Sequence, residues 1–232
     1  MIFDPPLVRG TLVRRYKRFL ADITLENGNE VTVHCPNPGA MLGLDQPGSP
    51  VWVAPAKPTA KLPYGWKLIG LPTGLVGIDT MVPNRVVKEA LTTGAIEPLL
   101  MYRDITAEVK YGENSRIDFL LKGNGLPDCY LEVKNVHLCR QSGLAEFPDC
   151  VTKRGAKHLD ELANMVRAGH RAVMLYLVQR GDCVRFRLAD DLDPGYATAF
   201  AAAKKAGVEA YCYSCDITEA GVALGKAIQV EL

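Results

Sequence analysis

The chain has 232 residues, of which 48% are hydrophobic and 23% are charged, and its formal net charge is +1 at pH 7. This composition supports a proper core and indicates a globular protein, while the overall charge gives no sign of a polyanion partner. No apolar run approaches the ~18 residues of a membrane helix, and the N-terminus lacks a secretory signal. We therefore expect a cytoplasmic protein with no membrane partner. The odd number of cysteines, seven, indicates reduced thiols.

The N-terminal third of the chain consists of short strand patterns. Strands are predicted for LVRGTLVRR, RFLADITLE, EVTVHC, VWVAPA, WKLIGL and LVGID, with a strong hairpin signal at Asn27-Gly28. About five strands in about 80 residues, without a long helix, favour a small β-barrel. We expect an OB-like barrel over residues 1–81, although no sequence rule separates it from an SH3-like barrel.

The pattern changes near Pro83 to one that mixes helices and strands. A helix capped by Asn84 and ended by Gly94 is followed by the strands ITAEVKY, RIDFLL and YLEVKNV. A second helix is predicted for VTKRGAKHLDELANMVRAG, and RAVMLYLV after it for a buried parallel strand. The strand VRFRL, the helix YATAFAAAKKAG and a strand near VEAYCY follow. The sequence therefore predicts a two-domain α+β protein with an α/β domain over residues 82–232.

The segment RIDFLLKGNGLPDCYLEVKNV carries charged residues inside two apolar strands. If the hairpin turns about Gly125, Asp118 lies opposite Glu132, and Arg116 lies opposite Lys134. Opposed Cβ atoms would then be about 4.5–5.5 Å apart on one face of the hairpin. The other face would carry Ile117, Phe119, Leu131 and Val133. Two opposed carboxylates repel and raise one pKa, so a compensating positive charge is expected.

A divalent cation would supply that charge. Two carboxylates, with waters and a substrate phosphate, describe a typical Mg²⁺ site, and Mn²⁺ is the alternative ion. Asp118 and Glu132 would hold the metal, and Lys134 would orient or deprotonate the attacking water. This is the chemistry of phosphodiester hydrolysis. A Glu-x-Lys pair taken alone is more often an ordinary solvated strand face.

The order of the elements favours the metal site over the solvated face. An Asp on the preceding strand, the order helix, three strands, helix, strand, and a basic helix start together match the core of the PD-(D/E)xK nuclease superfamily, which resembles restriction endonucleases. That superfamily usually adds an acid from the first helix. Glu89 fits this position, and Glu113 is a rival; for each, an exposed surface charge is the alternative.

Local groups of basic and aromatic residues predict contact with nucleic acid. The second helix starts with a basic cluster, and helix N-termini with nearby cations favour phosphate. In the N-terminal domain, RRYKRF alternates cations and aromatic residues, which suits binding of backbone and bases, with Phe19 expected in the core. An ordinary solvated surface is the alternative for both groups. The candidates are Arg14, Tyr16, Lys17, Arg18, His34, Asn37, Arg116, Lys153, Arg154, Lys157 and His158.

The chain resembles the sugar fermentation stimulation protein (SfsA) family through RYKRFLADI, HCPNPGAM, YGENSRIDFLL, YLEVKNV, FPDCVTKRGAKHLDEL and RAVMLYLVQR. These motifs span nearly the whole chain, and their combination is specific although each alone is weak. One departure is Pro38, which stands where the family usually has a hydroxyl residue. Any phosphate contact made by that hydroxyl is absent here.

The resemblance implies an OB-like domain, a nuclease-like domain, DNA binding and a role in regulating sugar (maltose) metabolism. It also implies that Asp118, Glu132 and Lys134 are the nuclease-type residues. The first hypothesis is a DNA-binding, Mg²⁺-dependent nuclease, and the second is a non-catalytic transcriptional regulator that keeps the nuclease fold. A metal-dependent enzyme acting on a small phosphate ester is a third. RNA in place of DNA, and the oligomeric state, with a homodimer as one option, stay open.

Overall fold

The N-terminal part of the fold is a closed five-stranded β-barrel. In the computed structural model, which describes residues 1–112 and 115–231, six strands form a sheet in the order β3-β2-β1-β4-β5-β6. A parallel pairing of β3 with β5 closes the barrel. The strands are β1 (Val8–Tyr16), β2 (Leu20–Leu25), β3 (Glu30–His34), β4 (Pro50–Pro55), β5 (Tyr64–Leu71) and β6 (Gly74–Gly77). The OB-like barrel expected from the sequence is confirmed.

Alternating side chains build the interior of the barrel. In β2, Ala21 and Ile23 are buried whereas Asp22 between them is partly exposed, as the period of a strand requires. Trp66 is fully buried, and its indole Nε1 donates to the backbone oxygen of Leu68 at 2.9 Å. Gly28 has a φ of 84° in the turn between β2 and β3, a conformation that glycine adopts at low cost.

The rest of the chain is an α/β domain around a mixed six-stranded sheet. Its strand order is β15-β14-β12-β9-β8-β7, and β12 is parallel to both β9 and β14. Helix α1 packs on one face of the sheet, and α2 and α3 pack on the other. The elements are α1 (Val82–Thr93), a short 3-10 helix (Glu97–Leu99), β7 (Asp104–Tyr111), β8 (Ser115–Lys122), β9 (Cys129–Val136), α2 (Lys153–Arg167), β12 (Arg171–Val178), α3 (Pro194–Lys205), β14 (Glu209–Thr218) and β15 (Gly221–Ala227). The predicted order of helix, three strands, helix and strand is present.

A smaller sheet packs beside α2 and α3, and the sequence predicted only one of its strands. Its order is β10-β11-β13-β16. These strands have too few residues for a periodic pattern to be recognised. The buried carboxylate of Glu146 links these strands. It accepts hydrogen bonds from Arg140 Nε at 2.8 Å and from Arg187 NH2 at 2.8 Å. The strands are β10 (Leu138–Gln141), β11 (Leu144–Phe147), β13 (Arg185–Leu188) and β16 (Gln229–Glu231).

Helix α1 begins at Val82, before the predicted cap Asn84. Asp79 organises this start, because its Oδ1 accepts from the Met81 N–H at 2.8 Å and its backbone oxygen accepts from the Val82 N–H at 3.1 Å. Gly94 ends the helix with a φ of 73°, as predicted. Asn84 therefore lies inside the first turn, and its side chain is available to the sheet.

Hydrogen bonds from backbone N–H groups of the N-terminal domain join the two domains. Asp149, which follows β11, accepts with Oδ2 from the Met41 N–H of the barrel at 3.0 Å. The backbone oxygen of Gln179 accepts from the Gly77 N–H at 2.8 Å. The first three residues also leave the barrel and pair with the β14–β15 hairpin near Gly221. The barrel is therefore held against the α/β domain at several separate points.

The cysteines form no disulfide bonds. All seven cysteines are free thiols. Burial raises the pKa of Cys212 and Cys215, which lie on opposite faces of β14, Cys212 in the core beneath α2 and Cys215 in the core beneath α1. Within the described ranges, no helix has the length and apolar character needed to cross a membrane.

We expect Gly39→Ala to weaken the contact between the domains. A Cβ at position 39 would collide with the carboxylate of Asp149, the group that binds Met41. An overpacked contact costs about 1–3 kcal/mol, so the free energy of unfolding measured in urea should fall by this amount. Gly65→Ala is the matched control, because a Cβ there meets open space. Equal stability of the two variants would argue against this contact.

Candidate active site

The hairpin of β8 and β9 has the predicted register, but its strands separate at the carboxylates. Phe119 pairs with Leu131, and the ladder continues from there toward the turn. On the other side of Phe119 the backbone pairing of β8 with β9 stops, and the side chain of Asp118 takes the place of a backbone acceptor. Its Oδ2 accepts from the Val133 N–H at 2.8 Å, and its Oδ1 accepts from Asn84 Nδ2 at 2.7 Å. Asp118 therefore links the two strands and α1.

In β7 and β8 the side chains also switch from one face of the sheet to the other at this point. The predicted division of the hairpin into one polar and one apolar face is therefore wrong. Phe119 lies in the core beneath α1, whereas Ile117 lies in the core beneath α2. In β7, Glu108 has a φ of 58°, a left-handed conformation that costs a non-glycine residue about 1–2 kcal/mol. Arg116 and Lys134, which were expected to face each other, lie beyond the paired part of β8 and β9.

Glu132 is the buried centre of the site. It is 3% exposed, and its Oε1 contacts Lys134 Nζ at 2.8 Å and His158 Nδ1. Because Arg154 Nε donates to Nε2 of the same ring at 3.3 Å, Nδ1 carries the proton that the imidazole donates to Glu132. Burial alone would raise the pKa of Glu132, but the His158 hydrogen bond and the Lys134 charge outweigh it and hold this pKa below its usual value. Glu132 is thus a buried carboxylate that stays ionised.

Asp118 has the opposite electrostatic environment. Burial, followed by the negative charge of Glu132, raises the pKa of Asp118 to about 6, against the hydrogen bonds from Val133 and Asn84. Both carboxylates line one cavity of about 450 Å³. The repulsion expected between two neighbouring acids is therefore present, and it acts on Asp118.

The site has suitable donors for a divalent cation. Glu132 Oε2 is buried and has no hydrogen-bond partner among the described residues, which is costly for a charged oxygen. Mg²⁺ is usually bound through one or two carboxylates and keeps several waters. Asp118 and Glu132 therefore fit such an ion. Over residues 1–112 and 115–231, no three ligating side chains converge as a ready-made metal cluster, so waters would have to complete the shell.

Basic side chains surround the same cavity. Arg116, Arg154 and Lys157 are exposed and line it together with the carboxylates. Lys153 is exposed at the first position of α2 but is not part of this lining. His158 is 4% exposed and binds Glu132 instead of facing outward. Because His158 also lines the cavity, its predicted contact with nucleic acid stays a prediction. The complete lining is Glu108, Ser115, Arg116, Asp118, Glu132, Arg154, Lys157 and His158.

The third acid expected from the first helix is not at the site. Glu89 pairs with the amino group of Met1 at 2.6 Å and lines a separate hollow beside β15. Its predicted metal role is wrong, because α1 turns Asn84, and not Glu89, toward Asp118. The rival acid, Glu113, lies outside the described residues.

The end of β1 and the turn that follows it carry four of the six barrel residues predicted to bind nucleic acid. Lys17 and Arg18 form this turn in left-handed conformations, and both are exposed. Arg14 lies over the Tyr16 ring at 4.8 Å, while its Nε donates to Asp22 at 2.8 Å. The neighbouring strand therefore partly neutralises the basic segment, and Lys17 and Arg18 are its most accessible cations.

The strand β3 adds an aromatic pair to this region. His34 is exposed and stacks with Phe19 at a ring distance of 6.5 Å. Phe19 is 45% exposed, so its expected place in the core is wrong. Asn37 is 1% exposed; its Nδ2 donates to Ile78 and its Oδ1 accepts from the Gly39 N–H. Asn37 holds the shape of its loop and lines the cavity between the domains, and its predicted contact with nucleic acid stays a prediction.

Sequence reasoning did not identify Asn84 or Glu108 as site residues. Asn84 has the pattern of a helix cap, and its contact with Asp118 depends on the earlier start of α1. Glu108 has the pattern of an ordinary exposed strand residue. No sequence signal indicates a left-handed residue other than glycine within a strand.

Comparison with known proteins matches both domains to one family. Residues 13–78 match the SfsA N-terminal OB domain, and residues 81–221 match the sugar fermentation stimulation protein RE domain. A sugar fermentation stimulation protein homolog from Dinoroseobacter shibae is 61% identical over 100% of this chain and 96% of its own. One from Jannaschia sp. is 59% identical over 100% and 97%. The structure of Pyrococcus furiosus SfsA in complex with Ca²⁺ has a TM-score of 0.91 and 24% identity, covering 100% of this chain and 98% of that one, and it confirms the fold.

We expect Asp118→Asn to stabilise the metal-free protein at alkaline pH. The folded-state pKa of Asp118 is raised to about 6 from 3.8. Folding therefore favours its protonated form, and stability falls as pH rises through this window. The neutral amide avoids this loss of stability, which is about 3 kcal/mol at about pH 8 and about half of that at about pH 5. Urea unfolding with a chelator at both pH values measures the difference.

Asp104→Asn, on the exposed part of β7, is the control for this experiment. It should leave the pH dependence of the free energy of unfolding as in the wild type. A stability difference for Asp118→Asn that stays constant between the two pH values would show that Asp118 has an ordinary pKa.

Proposed function

Because this chain belongs to the sugar fermentation stimulation protein family, we propose that it binds DNA and hydrolyses phosphodiester bonds with Mg²⁺ or Mn²⁺. One observation carries the proposal. The carboxylate of Glu132 is ionised and buried beside Asp118, and its Oε2 has no hydrogen-bond partner in the described parts of the chain. An ordinary solvated strand face would leave both oxygens in water.

The proposed metal ligands are Asp118 and Glu132. A bound divalent cation supplies charge that stabilises the scissile phosphate and lowers the pKa of a bound water. The related Pyrococcus furiosus protein was solved in complex with Ca²⁺, which shares the preference of Mg²⁺ for oxygen ligands. Asn84 and the Val133 N–H fix the orientation of the Asp118 carboxylate. His158 fixes that of Glu132 through Oε1, so Oε2 is the oxygen left for the ion.

Lys134 is the proposed residue for handling the proton of the attacking water. Its Nζ lies 2.8 Å from Glu132 Oε1 and 3.2 Å from His158 Nδ1, and its side chain is 13% exposed. In the neutral form the amine accepts a proton from the water. In the ammonium form it orients the water and offsets the charge of the carboxylates.

A row of cations supports a nucleic-acid substrate. Arg116, Arg154 and Lys157 line the cavity of the carboxylates. Arg18 of the barrel turn and Thr152, the cap of α2, line a second cavity of about 350 Å³ between the domains. A nucleic-acid strand that passes from the barrel turn to the start of α2 would meet phosphate-binding groups along its route. This arrangement favours a polynucleotide over a small phosphate ester.

A non-catalytic DNA-binding regulator that retains the nuclease fold is the second candidate. Lys134 and His158 contact the same oxygen of Glu132, an arrangement that also stabilises a buried carboxylate when no metal is bound. Either form of the protein would link DNA binding to the regulation of sugar (maltose) metabolism suggested by the family resemblance.

Cleavage of labelled DNA and RNA, single- and double-stranded, with Mg²⁺ or Mn²⁺ tests the proposal. We expect the wild type to cleave and Asp118→Asn to be inactive. Lys134→Ala should lower the rate by about 10²–10⁴-fold, as for loss of a general acid or base, while binding of the same substrate changes little. Lys122→Ala is the matched control, because Lys122 is the last residue of β8, away from Asp118, and forms an ion pair with Asp128.

The outcomes separate the two candidates. Binding without cleavage in either metal would establish the regulator and exclude the nuclease. Cleavage that survives Asp118→Asn would indicate a contaminating enzyme or another site. A protein that neither binds nor cleaves any of the four substrates would refute both candidates.

A further inference from the structure

We propose that Glu108 is the third carboxylate of the cation site, in the role that the first-helix acid has in related nucleases; this inference rests on the proposed function of Asp118 and Glu132. The register of the sheet places it there. Ala107 pairs with Phe119 and Val109 pairs with Ile117, so Glu108 lies opposite Asp118. Glu108 also lines the cavity of about 450 Å³ that contains Asp118 and Glu132.

The backbone at Glu108 is unusual for a strand. Among the described residues, the non-glycine residues with positive φ are Lys17, Arg18, Met41 and Glu108. The first three lie in turns or loops, whereas Glu108 lies inside β7. Such conformations occur preferentially at functional sites, where the surrounding structure holds them in place.

The left-handed residue redirects the strand toward the site. Ile105 packs against the core beneath α1, and Val109 packs against the core beneath α2. Residues four apart in a regular strand lie on the same face of the sheet. The alternation of side chains in β7 is therefore interrupted between Ile105 and Val109. Glu108, with its left-handed backbone, lies at this interruption, and Asp118 lies at the corresponding interruption in β8.

A purely structural role would not require a carboxylate at this position. A bulge can protect the edge of a sheet with any residue, and glycine would adopt a φ of 58° without strain. Within the described ranges, Glu108 is exposed and forms no hydrogen bond or ion pair with another residue. Glu132, whose Oε2 is buried and has no hydrogen-bond partner in the described chain, lines the same cavity. In the described chain Glu108, Asp118 and Glu132 do not converge as a ready-made cluster, but Glu108 and Glu132 have free oxygens in one cavity, and a shared cation would draw them together.

Calorimetric titration of the full, chelator-treated chain with MnCl₂ tests this inference. We expect Glu108→Gln and Glu108→Gly to weaken Mn²⁺ binding by about tenfold or more, and Asp118→Asn to weaken it further. Glu89→Gln is the matched control and should bind as the wild type does, because Glu89 pairs with the N-terminus. Thermal unfolding without metal is the second readout. Glu108→Gly should keep the wild-type midpoint or raise it by up to about 4 °C, because glycine removes the strain.

The combination of both readouts separates ligand from structure. Wild-type Mn²⁺ affinity in both Glu108 variants, with loss in Asp118→Asn, would overturn the role of Glu108 and leave the proposed function standing. Loss of affinity in Glu108→Gly together with a lower unfolding midpoint, while Glu108→Gln binds normally, would show a structural role and also overturn it. A wild type that binds no Mn²⁺ would refute the proposed function itself.

Discussion

The burial of one charged carboxylate, Glu132, is the constraint on which the site depends. A carboxylate removed from water must be compensated by positive charge and hydrogen bonds. Lys134 from the same strand and His158 from α2 compensate Oε1. Oε2 has no such compensation within the described chain. A structural ion pair would satisfy both oxygens, and the proposed cation would account for the unequal treatment of the two.

This constraint is built into the way the sheet is assembled. Strand β9 lies between β8 and β12, and His158 of α2 covers Glu132 on its face of the sheet. Strand β8 leaves β9 at Asp118, and the carboxylate of Asp118 binds the Val133 N–H that the ladder would otherwise occupy. The opening between the strands and the position of the second carboxylate therefore have a common cause. Asn84 of α1 then fixes that carboxylate from the opposite side.

The sequence predicts the elements better than it predicts the side-chain partners. The barrel, the core order of the second domain and the hairpin register follow from patterns within about ten residues. What the sequence does not predict is the set of contacts that these side chains make with other segments. Glu89 was favoured by its helix, but the amino group of Met1 binds it, and Asn37 was favoured by its loop, but Ile78 and Gly39 use its amide.

The same limit explains the face prediction around Asp118. Alternation assumes a regular strand, and nothing in TAEVK or RIDFL shows that the faces change at Glu108 and Asp118. Short strands such as β10 and β16 gain their pairing from Glu146 and from parallel neighbours, not from their own pattern. The central claim, that Asp118 and Glu132 hold a divalent cation, is tested most directly by anomalous diffraction from crystals soaked in Mn²⁺. The account requires a peak within about 2.6 Å of Glu132 Oε2 and of an Asp118 oxygen; a saturated crystal with no peak between them would contradict it.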